Sequence, residues 1–221
     1  MTNSSQIQQN WTKNPFALPS NLPGWGLILV EGPDAATFLQ NQLTNSVIGL
    51  NRTAPGHIAQ YSSASRLVGY CSPKGRLLAS AWIGLFSSND GVQDRFALFV
   101  SKDIAASTAK RLTMFVLRSK VKVMDASSDW MIAGLYGSEQ QISNFKLDEV
   151  SIALRMPNVL MGDQSIARLL IAYPSSASSY MKQSSELLDS WNELEVLSAI
   201  PRIVQPTQEQ FVPQMINFES V

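Results

Sequence analysis

The chain has 221 residues, 45% of them hydrophobic and 15% charged, with a formal net charge of zero. That length and composition exclude a disordered tail and a short peptide, and leave one large or two small globular domains. No apolar run approaches the roughly 18–20 residues that a bilayer-spanning helix needs. One cysteine and one histidine exclude an internal disulfide, a four-ligand zinc site and a thiolate-held iron–sulfur cluster built from this chain alone. A reducing cytoplasm is the compartment expected of such cysteine usage.

The charge is unevenly spread. Residues 1–122 carry 12 Lys+Arg against 5 Asp+Glu (+7), and residues 123–221 carry 5 against 12 (−7). A basic half can attract an anionic ligand or RNA, or the two halves can attract each other within one fold. No basic run interleaved with aromatics marks a nucleic-acid surface, so direct nucleic-acid binding is not expected.

In chain order, residues 1–21 are polar, lack an apolar signal core or an Arg-rich face, and read as a flexible N-terminal arm. "GWGLILVEG" (24–32) reads as a buried strand. "PDAATFLQNQLTNSVIGL" follows, with Leu39, Leu43, Val47 and Leu50 at helical spacing and Asp34 as its N-cap. "RLVGYC", "RLLASAWIGLF" and "RFALFVS" are expected strands. "SKDIAASTAKRLTMFVLRSK" is a second helix, with Lys110, Arg111 and Arg118 toward the end where cations suit the dipole. "KVKVMDAS", "DWMIAGLYG", "SIALRM" and "ARLLIAYP" are further strands. A third helix spans 175–200, carries Leu187, Trp191 and Leu194 on one face, and stops at Pro201. Paired strands broken by helices, without strict alternation, predict an α+β fold with antiparallel sheets and packed helices.

"YCSPKGRLLAS" (70–80) is the stretch that raises a chemical question. Ser72, Pro73 and Gly75 occupy positions i, i+1 and i+3 of a type I turn, so the segment reads as a hairpin tip. Cys71 then ends a strand as a small packed residue. Lys74 and Arg76 are either a solvated tip or contacts for an anion. Phosphate-loop and dinucleotide-binding motifs are absent. His57 has no Ser or Asp partner by motif and reads as a surface histidine.

Three segments, in order, carry a resemblance. "GPDAATFLQNQLTN" (32–45), "CSPKGRLLAS" (71–80) and "IPRIVQPTQEQFVPQMINFESV" (200–221) resemble the landmarks of YgfZ-type folate-binding proteins, relatives of the glycine-cleavage aminomethyltransferase. The resemblance implies an aminomethyltransferase-like folate-binding region over 22–221, with two interleaved subdomains. It implies tetrahydrofolate or a derivative as ligand, and iron–sulfur enzymes or assembly proteins as partners, in support of iron–sulfur enzyme maintenance and tRNA modification. Two tryptophans carry the folate role in the family, and Trp25 and Trp191 match them. An indole can stack on a flat pterin or aminobenzoyl ring. Plain core packing on its helix is the alternative for Trp191. Lys74 and Arg76 are candidates, on charge, for the glutamate tail.

Two departures accompany the resemblance. The family's K-G-C-Y-x-G-Q-E element would follow "INFESV", but the sequence ends at Val221, so an N-terminal fragment lacking the C-terminal barrel-like domain is expected. The acid of the transferases' E-A-G falls at Leu197, and no motif around "KGRLLASAWIG" matches their catalytic aspartate. A binding protein is therefore expected ahead of a folate-dependent aminomethyltransferase or demethylase, with a basic RNA-associated module as a third class.

Overall fold

The computed structural model describes residues 18–88, 93–176 and 185–218. The expected arm lies mostly outside them, and its last two residues, Ser20–Asn21, form a short strand, β1. The remaining strands are β2 (Trp25–Glu31), β3 (Arg52–Thr53), β4 (Ile58–Ala59), β5 (Ser65–Cys71), β6 (Leu77–Ser87), β7 (Asp94–Ser101), β8 (Lys122–Asp125), β9 (Trp130–Gly137), β10 (Ile152–Met161) and β11 (Gln164–Pro174). The helices are α1 (Ala35–Gln40), α2 (Lys102–Met114), α3 (Glu139–Asn144) and α4 (Ser185–Leu197). None of the described helices is long and apolar enough to cross a membrane.

Two sheets result. One runs β1-β9-β11-β10-β4, and the other runs β3-β6-β7-β2-β8 with β5 also on β6. The pairings are antiparallel, as expected, except for two short parallel contacts, β3 with β6 and β4 with β10.

Period-2 alternation distributes the core. On β2, Ile28 and Val30 face the cluster that also holds Ile104 and Leu112 of α2, while Leu27 and Leu29 face the second sheet. On β11, Leu170 and Ala172 point between the sheets, and Leu169 and Ile171 point outward to Ile142 of α3. Both faces of each strand are therefore apolar, which is why these runs read as continuous hydrophobic stretches. The layers are helix, sheet, sheet, helix, with α4 packed against β10 and β1.

The first helix is shorter than its periodicity predicts. It ends at Gln40, because the next residues find sheet partners instead. Thr44 N–H donates to Gly69 O (2.9 Å), Gly69 N–H donates to Thr44 Oγ1 (2.8 Å), and Leu43 bridges Tyr70. Leu39, Val47 and Leu50 still enter one core cluster, without continuing the helix. Asp34 holds the N-cap position but makes no cap bond; its Oδ2 accepts from Lys120 N–H at 2.7 Å. The third helix is Ser185–Leu197 where it is described, and Ala199, at φ +53°, turns the chain out before Pro201. Helix α3 was not expected, although Ser138 and Gln141 close a capping box at its start.

The hairpin tip forms as the turn chemistry dictates. Gly75 N–H donates to Ser72 O (2.9 Å), Ser72 N–H to Arg76 O (2.8 Å), and Gly75 sits at φ +74°. The Ser72 hydroxyl contributes nothing to the turn: it is buried without a hydrogen-bond partner.

Candidate functional site

Where β5 and β6 of one sheet face β10 of the other, the surface opens into a cleft of about 680 Å³ lined by Arg66, Leu67, Trp82, Glu139, Arg155 and Met156, among others. Its walls Leu67, Trp82 and Met156 also bound a small inner cavity of about 20 Å³, which adds Trp25, Arg168, Glu195 and Arg202. On its far side the inner cavity shares Glu195, Ile200, Pro201 and Arg202 with a third space of about 420 Å³ that ends at Ile216 and Asn217. The three make a run of neighbouring cavities with shared walls, between the sheets and the C-terminal segment. Its size is ordinary for a small-molecule site.

Three residues close the inner end. Trp25 opens β2 opposite Ser101, and its indole Nε1–H donates to Glu195 Oε1 at 3.1 Å. Glu195, on the last turn of α4, also pairs with Arg202 (Oε2 to Nη2, 3.5 Å). Arg202 lies over the Trp25 ring at 4.6 Å from its centroid and donates through Nη1 to Gly24 O (2.7 Å) and Ser101 Oγ (3.2 Å). With its N–H paired and one face covered, Trp25 is 7% exposed, an interior ring rather than a rim one.

Arg168, on β11, is fully buried. Its Nη1 donates to Leu194 O (3.3 Å) and its Nη2 to Pro157 O (3.2 Å). Burial pulls its pKa down to about 10, against the opposing pull of the Glu195 carboxylate. At the outer end, Glu139 takes hydrogen bonds from Arg155 and from Asn158 Nδ2 (2.7 Å for the latter), which hold its carboxyl below the ordinary range. Arg66 donates only to backbone carbonyls, those of Ser62, Ser46 and Ile48.

The structure separates the four residues singled out from sequence. Trp25 lines the inner cavity. Trp191 shares its hydrophobic cluster but has no exposed surface. Its ring lies on Gly134, where an added Cβ would come within 2.4 Å of it. Lys74 is exposed at the hairpin tip. Arg76 donates to the carbonyls of Glu209 (3.2 Å) and Gln210 (3.0 Å), tying the hairpin to the C-terminal segment. Neither basic residue lines the run of cavities. The run is also remote from α1: Trp25 starts the seven-residue β2 and Asp34 lies past its other end, with the strand alone spanning roughly 20 Å.

Sequence reasoning missed Arg168, Trp82, Glu195, Arg202 and Arg155. Arg168 did carry a signal. In "SIARLLIAYP" it shares the inward face with Leu170 and Ala172, and a charge on the buried face of a strand calls for a partner. Cys71 is half-buried and burial raises its thiol pKa, which disfavours the nucleophilic thiolate. His57 is exposed. Among the described residues no group of three or more His, Cys, Asp or Glu could hold a metal ion.

No family model matches the chain. Among curated relatives it is 28% identical to the tRNA-modifying protein YgfZ of Photobacterium profundum over 212 residues, covering 91% of this chain and 59% of that protein. An uncharacterized protein of Haemophilus influenzae is also 28% identical, over 91% of this chain and 60% of the relative. An iron-sulfur cluster assembly factor IBA57 homolog of Mycosarcoma maydis is 28% identical over 63% of this chain and 34% of its own. The chain thus spans about three-fifths of the length of the first two relatives. The glycine cleavage system aminomethyltransferase T of Bartonella henselae superposes with a TM-score of 0.51 at 16% identity, over 81% of this chain and 45% of that structure, and so shares the fold. Three ordered landmarks, relatives along nearly the whole chain and this fold converge on one likeness: the chain is similar to YgfZ-type proteins and shares the fold of the glycine-cleavage aminomethyltransferase.

Proposed function

We propose that the chain is a folate-binding accessory protein that supports iron–sulfur enzymes and tRNA modification, with tetrahydrofolate or a derivative held in the cleft between its sheets. The observation that carries this reading is the run of cavities itself: aromatic walls from Trp25 and Trp82, and arginines at both ends. A flat ring with an anionic tail matches that lining. Of the four residues singled out from sequence, Trp25 closes the inner end of the run, and Trp191 supports the wall from behind.

Binding without turnover follows from the carboxylates. Glu195 is committed to Trp25 and Arg202, and Glu139 to Arg155 and Asn158. A carboxylate whose oxygens are already held by N–H donors is not free to meet the folate amine, where aminomethyl transfer needs one poised. Leu197, where the transferases carry an acid, is half exposed and offers no hydrogen bond.

The test is calorimetry with tetrahydrofolate kept reduced, on the wild type and on Trp82→Ala shown to be folded. The wild type binds, and the variant binds about tenfold more weakly, one ring contact being worth roughly 0.5–1.5 kcal/mol. A wild-type chain that takes up no reduced folate at millimolar concentration refutes the reading.

A further inference from the structure

We infer that the ligand's ring lies along Trp82, and that buried Arg168 binds a single acceptor oxygen on the edge of that ring. This assignment rests on the folate reading and deepens it.

The first observation is an orphan donor. Arg168 is fully buried, its two terminal nitrogens meet only neutral carbonyls, and its Nε–H has no partner. No carboxylate forms an ion pair with it among the described residues; Glu195, which it senses, is paired with Arg202. A buried cation is stable only when its protons are taken up by acceptors. A buried donor without an acceptor is therefore built into the site.

The second observation is the size of the space that Arg168 lines. At about 20 Å³ it accepts one water-sized atom. A carboxylate with its two oxygens is too large, while one ring oxygen fits. The cavity shares Leu67, Trp82 and Met156 with the 680 Å³ cleft. A ring that passes its oxygen between these shared walls into the small cavity then lies in the cleft against Trp82. The depressed Arg168 pKa of about 10 leaves the guanidinium protonated at neutral pH, a donor rather than an acceptor.

The third observation is charge at the outer end. Arg66 and Arg155 face one carboxylate, Glu139, leaving an excess of one positive charge where a tail would leave the cleft. The ligand class is then a flat heteroaromatic bearing an edge oxygen at one end and an anionic chain at the other.

Two probes separate these parts: tetrahydrofolate, and p-aminobenzoylglutamate, which keeps the tail and lacks the pterin ring. Calorimetry is run on the wild type and on Arg168→Met, which preserves volume. The expected result is a loss of tetrahydrofolate affinity of roughly tenfold or more, a charged hydrogen bond being removed, with the fragment's affinity unchanged. If Arg168→Met does not melt cooperatively, Arg168→Lys is read in the same way, since it keeps the charge and removes Nε. Equal tetrahydrofolate affinity in wild type and variant overturns the assignment and leaves the folate reading standing. Equal loss of both probes also overturns it, because Arg168 then acts only on the fold. A wild type that binds neither probe removes the folate reading and this assignment with it.

Discussion

Gly134 and Trp191 offer a test of what Trp191 does. Gly134, on β9, pairs with Leu170 of β11, and its Cα is the floor under the Trp191 indole. Replacing Gly134 with Ala places a methyl 2.4 Å from Cε3, 2.6 Å from Cδ2 and 2.7 Å from Cζ3. Carbon atoms rest at roughly 3.5–4.0 Å, so the ring or the strand has to retreat by about 1 Å. Neither has slack: Trp191 has no exposed surface, and Gly134 sits in a register continuous over eight residue pairs from Ala167 to Pro174. Overpacking of this kind costs about 1–3 kcal/mol, which for a chain of this size lowers Tm by roughly 2–4 °C per kcal/mol. Trp191→Leu alone destabilises by leaving a cavity, and combining it with Gly134→Ala recovers part of the loss, since the added methyl then occupies vacated space. Thermal and urea melts of the two single variants and the double variant measure the coupling. Strict additivity, or Gly134→Ala melting like the wild type, would refute the packing argument.

Three further outcomes follow from other parts of the fold. Gly75→Val lowers Tm more than Cys71→Ser: Gly75 has open space around it but sits at φ +74°, where a β-branched residue is strained by about 1–3 kcal/mol, whereas Cys71 is only half-buried; a larger drop for Cys71→Ser reverses the assignment. Glu195→Leu strands the Trp25 N–H and the Arg202 guanidinium, so it destabilises by about 1–3 kcal/mol and changes tryptophan fluorescence; Glu195→Gln, which keeps an acceptor for Trp25, is the milder change, and equal melts for the two contradict this. The hydrogen bonds from Arg155 and Asn158 lower the Glu139 pKa, so their contribution is fully present above the ordinary carboxylate pKa of about 4.3 and is lost as pH falls through the lower folded value. A Glu139 side-chain NMR titration with its midpoint at or above the ordinary value removes this link.

The long elements were legible because their apolar residues have one partner surface each. The strands Trp25–Glu31, Leu77–Ser87 and Gln164–Pro174 sit where periodicity and turn residues put them, and so does the helix Lys102–Met114, except that it ends at Met114, short of the expected 120, and leaves Arg118 outside. The α1 region was not legible to its end, because Leu43, Val47 and Leu50 satisfy helical spacing and tertiary burial alike, and the deciding bonds come from Gly69, 25 residues away from Thr44. Strands β3 and β4, two residues each, exist only by virtue of their parallel partners β6 and β10. At the cleft, Trp25 was marked by resemblance, whereas Glu195 looked like one more acid on a wet helix face. Its role comes from Trp25, 170 residues earlier, and from Arg202. Lys74 and Arg76 were marked by charge alone. Position along a hairpin, with Arg76 tied to the backbone of Glu209 and Gln210, puts them away from the cleft.

What already covers each tryptophan decides where a ring can gain most by stacking. Arg202 lies over Trp25 at 4.6 Å, a cation–ring contact worth about 0.5–2 kcal/mol depending on how far it is desolvated. A ligand ring stacked on that face gains roughly 0.5–1.5 kcal/mol beyond buried area. Exchanging one for the other is therefore close to neutral, and it also strips Glu195 of its ion-pair partner. Trp191 is worse placed, with Gly134 against its ring, Arg168 at 5.9 Å from its centroid and no exposed surface. Among the described residues the two cation–ring contacts fall on these two tryptophans, and none falls on Trp82. Trp82, itself 5% exposed, lines the widest of the three cavities, so a ring entering the cleft meets it there without first breaking an ion pair. On this balance Trp25, Glu195 and Arg202 form a closed inner wall that limits the depth of the cleft, and under the proposed binding mode Trp82 is the ring a ligand would meet.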